Sequence, residues 1–253
     1  MSLWKSALAC ACVAVLALTS PSPAAADAVL QQIDAHRVPY PNAEVMVRAR
    51  TADGQTKDFQ VFLNDRNESV VKMLTGVENG RYVLMTDTSF YLYIPSTSRP
   101  VRISPLQRLV GDANFGDIGR LTFAGSYRIE ERAPSAAPAG PPTNVGFRTA
   151  SGSFERIRLK ATTRTATYDR IDLWVVAGSL VPVRADYYLV SGKHQKSAWF
   201  SSPESFGGGT SIRHMALANP TPPYNTTVVT TREAQSARFS RRDFSVNGFF
   251  QIN

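Results

Sequence analysis

The stretch "FYLYIPSTSRPVRISPLQRLVGDANFGD", from Phe90 to Asp117, opens on five apolar or aromatic residues. A Pro- and Ser-rich turn carrying Arg99 and Arg102 follows, and the stretch closes on glycines and carboxylates. An antiparallel strand with one wet face alternates apolar and polar residues. Phe90-Tyr91-Leu92-Tyr93-Ile94 does not alternate. Neither do Tyr82-Val83-Leu84-Met85, Leu173-Trp174-Val175-Val176 or Tyr187-Tyr188-Leu189-Val190. Both faces of such strands must be covered. Either protein covers both, or one face meets something apolar that is not protein.

Outward from that stretch the texture is strand and turn. Val29, Leu30 and Ile33 share one face at helical spacing, which predicts a helix over Ala28 to His36, ended by Pro39 and Pro41. "EVMVRAR", "TKDFQVFLND", "SVVKMLTG", "YVLMT" and "SFYLYI" then read as strands, with Asp53-Gly54 and Asn79-Gly80 as turns. Between Ser104 and Phe123 the pattern predicts two short helices broken by Gly111, Gly116 and Gly119, with Leu106, Leu109 and Val110 as the apolar stripe of the first. The Pro/Ala-rich segment 133–144 cannot build a core and reads as a loop inserted in one domain. Six strand-length segments follow it. The expected total is about eleven or twelve strands with little helix: a mainly β fold.

The N-terminus reads as a signal peptide over residues 1–26. It has a short basic start, an apolar run from Ala7 to Leu18, and Ala24-Ala25-Ala26 before an expected cleavage ahead of Asp27. The remaining single domain, 27–253, would hold 253 − 26 = 227 residues. Both cysteines, Cys10 and Cys12, lie in the leader, so the mature chain would have no disulfide, thiolate metal ligand or cysteine nucleophile. The net charge of +8 is spread along the chain and favours anionic surfaces. No basic helix or nucleic-acid motif accompanies it, so nucleic acid is not the expected partner.

Catalytic signatures are missing. There is no G-x-S-x-G, phosphate-binding loop, dinucleotide fingerprint or H-E-x-x-H. His36, His194 and His214 are not at metal-ligand spacing. "GDANFGD" fails as a calcium loop, because Gly116 and Asp117 fall where a ligand and a glycine are required. Asp112 and Asp117 read as helix caps instead. "GGGTS", Gly207 to Ser211, reads as a hairpin. No enzyme, metal or cofactor is expected.

At Phe90 to Ile118 the chain resembles the outer-membrane lipoprotein-sorting protein family of the LolA/LolB-like superfamily. The residues that carry the likeness are Tyr93, Pro95, Ser96, Arg99, Arg102, Ile103, Leu109, Gly111, Asp112, Phe115 and Asp117. The later "YDRIDLWVVAGSLVPVRADYYLVSGKHQKSAWFSS" and the closing "RRDFSVNGFF" are similar to the family as well. The resemblance implies a curved antiparallel sheet, an incomplete (half) barrel, with short helices plugging its concave side. It implies a periplasmic protein of a Gram-negative bacterium that shields acyl chains of lipoproteins or phospholipids. Its partners would be those acyl chains, an inner-membrane transporter or exporter, and a membrane touched transiently. On the strands the expected cavity lining is Val61, Met73, Leu84, Leu92, Ile94, Trp174 and Leu189. On the plug it is Leu106, Leu109, Val110 and Phe115, with Arg99 and Arg102 at the rim. A lipid-sensing module on the same fold is the alternative, and a periplasmic hydrolase the more remote one.

Overall fold

A computed structural model describes residues 23–97, 99–206, 208–221 and 224–252; most of the expected leader lies outside them. Helix α1 (Pro23–Ala35) comes first. It begins earlier than the apolar spacing alone predicts, and it crosses the expected cleavage point. Leu30 and Ile33 are its buried anchors.

Six strands then form a meander: β1 (Ala43–Thr51), β2 (Thr56–Leu63), β3 (Ser69–Met73), β4 (Tyr82–Met85), β5 (Phe90–Tyr93) and β6 (Val101–Ile103). A small hairpin of β7 (Arg108–Val110) and β8 (Ala113–Asn114) leads into helix α2 (Phe115–Gly119). A second meander follows with β9 (Tyr127–Ser135), β10 (Phe154–Ala161), β11 (Arg170–Val176), β12 (Pro182–Tyr188) and β13 (His194–Phe200). The hairpin β14 (Glu204–Phe206) with β15 (Gly209–Ser211) interrupts it. Strands β16 (His214–Ala218) and β17 (Thr226–Ser236) complete it.

Thirteen strands form one antiparallel sheet in the order β6-β5-β4-β3-β2-β1-β17-β16-β13-β12-β11-β10-β9. The pairing of β1 with β17, from Ala43 opposite Ser236 to Thr51 opposite Thr227, joins the two meanders. The sheet does not close, because β6 and β9 remain as edges. This is a mainly β, open-sheet architecture, with more strands than the turn signals alone resolve. The extra ones are two- and three-residue ladders too short to carry a period.

The first helix expected after Ser104 is not formed. Leu109 and Val110 lie instead in the hairpin β7–β8, whose turn is Gly111-Asp112. Gly111 sits at φ +52°, where glycine carries no steric cost, and a side chain there would strike Thr227 and Thr51. The backbone is satisfied by cross-strand bonds, among them Phe115 N–H to the Gln107 carbonyl at 3.2 Å. The second expected helix is present as α2.

Strand parity sorts the side chains. The inner face carries Val45, Val47, Phe59, Val61, Val71, Met73, Val83 and Phe90 from the first meander. From the second it carries Ile157, Leu159, Ile171, Leu173, Ala198, Phe200 and Leu217. Helix α1 and the segment 104–126, here called the plug, cover that face with Leu30, Ile33, Val110, Phe115 and Ile118. The outer face of β2–β5 is also apolar, with Phe62, Val70, Leu84, Tyr91 and Tyr93, and the C-terminal residues Phe239, Phe244, Phe249, Phe250 and Ile252 pack over it. Farther along, the Pro/Ala-rich loop crosses the outer face. The Ala139 carbonyl accepts from Trp199 Nε1 at 2.9 Å, and Val145 is buried against Ala216 and Val228. The start of that segment, 133–135, is the end of β9. Within the strands, the apolar residues of both faces are therefore covered by protein, with burial as the driving force, whereas Val190, just past β12, stands 89% exposed.

Candidate functional site

The inner face is a continuous apolar surface, and the plug that packs on it is fastened by polar groups as well. Helix α2 begins after Asn114, whose N–H donates to Asp117 Oδ2 at 2.8 Å. The same carboxylate accepts from Lys196 Nζ at 2.8 Å and from the Tyr168 hydroxyl at 2.7 Å. Lys196 also donates to the Asp112 carbonyl. The side chains of Lys196 and Asp117 are only 4% and 3% exposed. Burial, and then the adjoining Asp117 carboxylate, hold the Tyr168 hydroxyl protonated far above its ordinary range, so it remains a donor. Asp112 beside them has its carboxyl pushed up by burial, against the pull of Lys196 and Arg108.

Two further groups clamp the other side. Arg120, next after α2, donates to the carbonyls of Asn67 and Thr86 and stands 5.5 Å over the Phe90 ring. Burial draws its pKa down, and the nearest carboxylate, Asp87, is 3.9 Å away. From α1, Asp34 accepts the N–H groups of Phe123 and Ala124, each at 2.8 Å. Its pKa is pushed up to about 6, because burial outweighs those hydrogen bonds and the charge of Arg37. Glycines allow the close fit. A Cβ at Gly116 would lie inside the Thr167 side chain, and one at Gly119 would meet Met85 Sδ at 2.5 Å.

The expected lining residues divide. Val61, Met73, Val110 and Phe115 are buried in the inner cluster, and Leu92, Leu109 and Leu189 pack against it. Ile94, just past β5, is half-buried and joins no cluster, while Leu106 is 38% exposed. Leu84 faces the outer side under the C-terminal segment. Trp174 is also on the outer side; its Nε1 donates to Ser135 Oγ and the Arg184 guanidinium stands over its ring. Arg99 is exposed. Arg102, also exposed, donates to the Thr88 carbonyl at 3.0 Å and lines a surface recess with Arg164.

Open space lies elsewhere. A groove of about 640 Å³ runs between α1, the β2–β3 turn and residues 119–125, and Asp27, Asp34, Asp65, Glu68 and Asp87 stand along it. A small cavity of about 30 Å³ lies under the plug beside Arg37, Arg120, Tyr127 and Thr167. None of the eleven apolar lining positions borders either space. The inner face is filled by its own plug.

Sequence reasoning missed Lys196, Tyr168, Arg120, Asp34 and Arg37. One signal was there to use. In "HQKSAWF", Lys196 shares strand parity with Ala198 and Phe200, and a lysine in an inward register requires a buried partner.

Comparison with known proteins matches this picture. A LolA superfamily protein, NE2245 from Nitrosomonas europaea, superposes at a TM-score of 0.73 with 22% identity, covering 87% of this chain and 97% of that one. A domain described as an outer membrane lipoprotein-sorting protein, from Vibrio parahaemolyticus, gives 0.62 at 13% identity, over 90% of this chain and 100% of that one. A DUF1329 family protein from Desulfovibrio piger gives 0.58 at 18% identity, over 88% and 97%. No curated protein matches. A family model described as "Uncharacterized protein" matches residues 65–249, the greater part of the chain. The chain belongs to that family, and its fold is the LolA-like one that the central strand-and-plug segment resembles.

Proposed function

We propose that the protein is a periplasmic lipid- or lipoprotein-binding carrier that takes part in outer-membrane lipoprotein sorting or lipid transport. The observation that carries this reading is the contrast within the inner face. A single apolar surface spans both meanders, and a plug held by hydrogen bonds and one buried ion pair covers it. When its β7–β8 hairpin lifts, with Arg120 and Phe123 left in place, the vacated surface offers an acyl chain roughly 0.8 kcal/mol per buried CH₂. A chain of about sixteen carbons gains on the order of 10 kcal/mol before the contacts of the plug and the ordering of the chain are subtracted.

No covalent chemistry is needed. Export through the leader, with cleavage after Ala26, leaves Asp27 to Ala35 of α1 and keeps both its buried anchors. The remaining chain, 27–253, works as one domain, and among the described residues no helix is long and apolar enough to cross a membrane. Loading and release require a membrane or a transporter that offers the acyl chain a better site.

Native mass spectrometry of the exported chain, purified from periplasm without detergent and then solvent-extracted, tests this. Bound lipid or acylated peptide near unit stoichiometry is the expected result. A clean apo mass with no uptake of an added fluorescent fatty acid would reduce the apolar faces to core and overturn the carrier.

A further inference from the structure

We propose that the small cavity between the plug and the second meander is an oxyanion pocket that receives the carboxylate of an acyl ligand. The acyl part of this inference rests on the carrier reading above.

The cavity is rich in donors. Arg120 is buried, with a side chain 7% exposed, and its Nε has no partner. Thr167, 8% exposed, also lines the space, and its Oγ1 has no partner. Buried polar atoms in a native fold are almost always satisfied, so two orphans around one cavity point to a missing group. Arg37 forms a third part of the wall. Its guanidinium stacks between the rings of Phe123 and Phe200, 5.0 and 5.2 Å from their centroids, and makes no ion pair among the described residues. The Tyr127 hydroxyl accepts the Tyr168 N–H, which leaves its own proton to donate. Burial keeps that hydroxyl protonated well above its usual range.

Carboxylates already present do not fill the need. Asp117 lines the cavity but is committed to Lys196, Tyr168 and the Asn114 N–H. Asp34 is committed to the Phe123 and Ala124 amides. One buried guanidinium with an unmade bond, Arg120, and a half-buried one without an ion pair among the described residues, Arg37, therefore face a space with no uncommitted carboxylate. The planar guanidinium matches a carboxylate, and such charge-assisted bonds are strong in a dry site. Size narrows the choice. The cavity of about 30 Å³ has room for roughly two waters, since each needs ~10–15 Å³. A carboxylate fits that space and a phosphodiester headgroup does not. Apolar Ile171 and Met215 on the same wall would meet the first methylenes of the chain.

Calorimetric titration of the delipidated exported chain with palmitate, hexadecanol and acetate separates the sources of the anion. Palmitate is expected to bind at least about tenfold tighter than hexadecanol, the worth of one or two charge-assisted bonds. Arg37→Gln and Thr167→Val are expected to erase that preference while hexadecanol binding stays. Thr167→Val costs the fold no hydrogen bond, so it tests the pocket even if Arg37→Gln proves unstable. Equal affinity for palmitate and hexadecanol would overturn the pocket and leave the carrier standing. Acetate binding that depends on Arg37, without binding of either long-chain ligand, would support the pocket for free carboxylates and count against the carrier. Binding of none of the three would overturn the pocket.

Discussion

Lys196 Nζ lies 2.8 Å from Asp117 Oδ2, and the two side chains are almost completely removed from water. One comes from β13 in the second meander and the other from the plug, so this ion pair joins the plug to the sheet. Breaking a buried pair by removing one partner costs about 3–5 kcal/mol, because the remaining charge is left unpaired.

Lys196→Met is therefore expected to loosen the plug more than to unfold the sheet. Urea unfolding should show a loss of about 3 kcal/mol or more, and an apolar dye should bind the variant in buffer with its far-ultraviolet circular dichroism unchanged. Asp117→Asn keeps an acceptor for the Asn114 N–H and turns its Nδ2 to the Tyr168 hydroxyl oxygen, which then accepts, and it should fall between Lys196→Met and wild type. Dye binding at the wild-type level in both variants would mean that the pair does not hold the plug.

Asp34 yields a pH signature. Its folded pKa is pushed up to about 6 from the ordinary 3.8, so between those values the folded state holds the proton and the unfolded state has lost it. Stability from this group is thus greatest below pH 4, declines as pH rises through 6, and is flat above. A shift of about two units corresponds to at most about 3 kcal/mol. Asp34→Asn removes the titration. The difference in unfolding free energy between wild type and variant should vary between pH 4 and 7 in the variant's favour as pH rises. A constant difference would show that Asp34 titrates normally.

Close packing of α2 ranks two glycines. A Cβ at Gly119 meets first the flexible end of Met85, which can move, and then Val71 Cγ2 at 2.9 Å. At Gly116 it meets Thr167, including its Cβ at 2.8 Å, which cannot. Gly116→Ala should cost about 1–3 kcal/mol and Gly119→Ala less. Thermal unfolding of the two variants checks the order, and the reverse order would place α2 away from Thr167 and the loop that leads into β11.

Phe249 is fully buried on the outer face, with its ring 6.5 Å from that of Tyr93. Phe249→Ala is expected to cost about 3–5 kcal/mol and to uncover Leu84 and Phe62. Faster proteolysis at the C-terminus with slower loss of the rest of the chain would be its signature. An unchanged denaturation midpoint would make the C-terminal segment dispensable.

The mainly β class, the turns at Asp53-Gly54 and Asn79-Gly80, and helix α2 were legible because each rests on a local rule: period two, a glycine turn, a short apolar run. The hairpin β7–β8 was not. "LQRLVG" satisfies a helical stripe, and only the contact of Gly111 with Thr227 and Thr51 selects the turn. The non-alternating strands correctly announced two covered faces. They were silent on the cover, and so Leu84 and Trp174 were grouped with residues from which the sheet separates them.

What covers each face depends on segments far apart in the chain. Phe249 lies over β4 and β5, Ala139 over β13, and α1 over both meanders, and no local period encodes such long-range pairing. The same holds for the site. Composition and parity place Lys196 inward, but its partner Asp117 is 79 residues away. A strand pattern specifies which way a side chain points, because alternation is a property of the backbone. Which carboxylate, ring or carbonyl waits there is set only when the two meanders meet along β1 and β17 and the plug is laid between them.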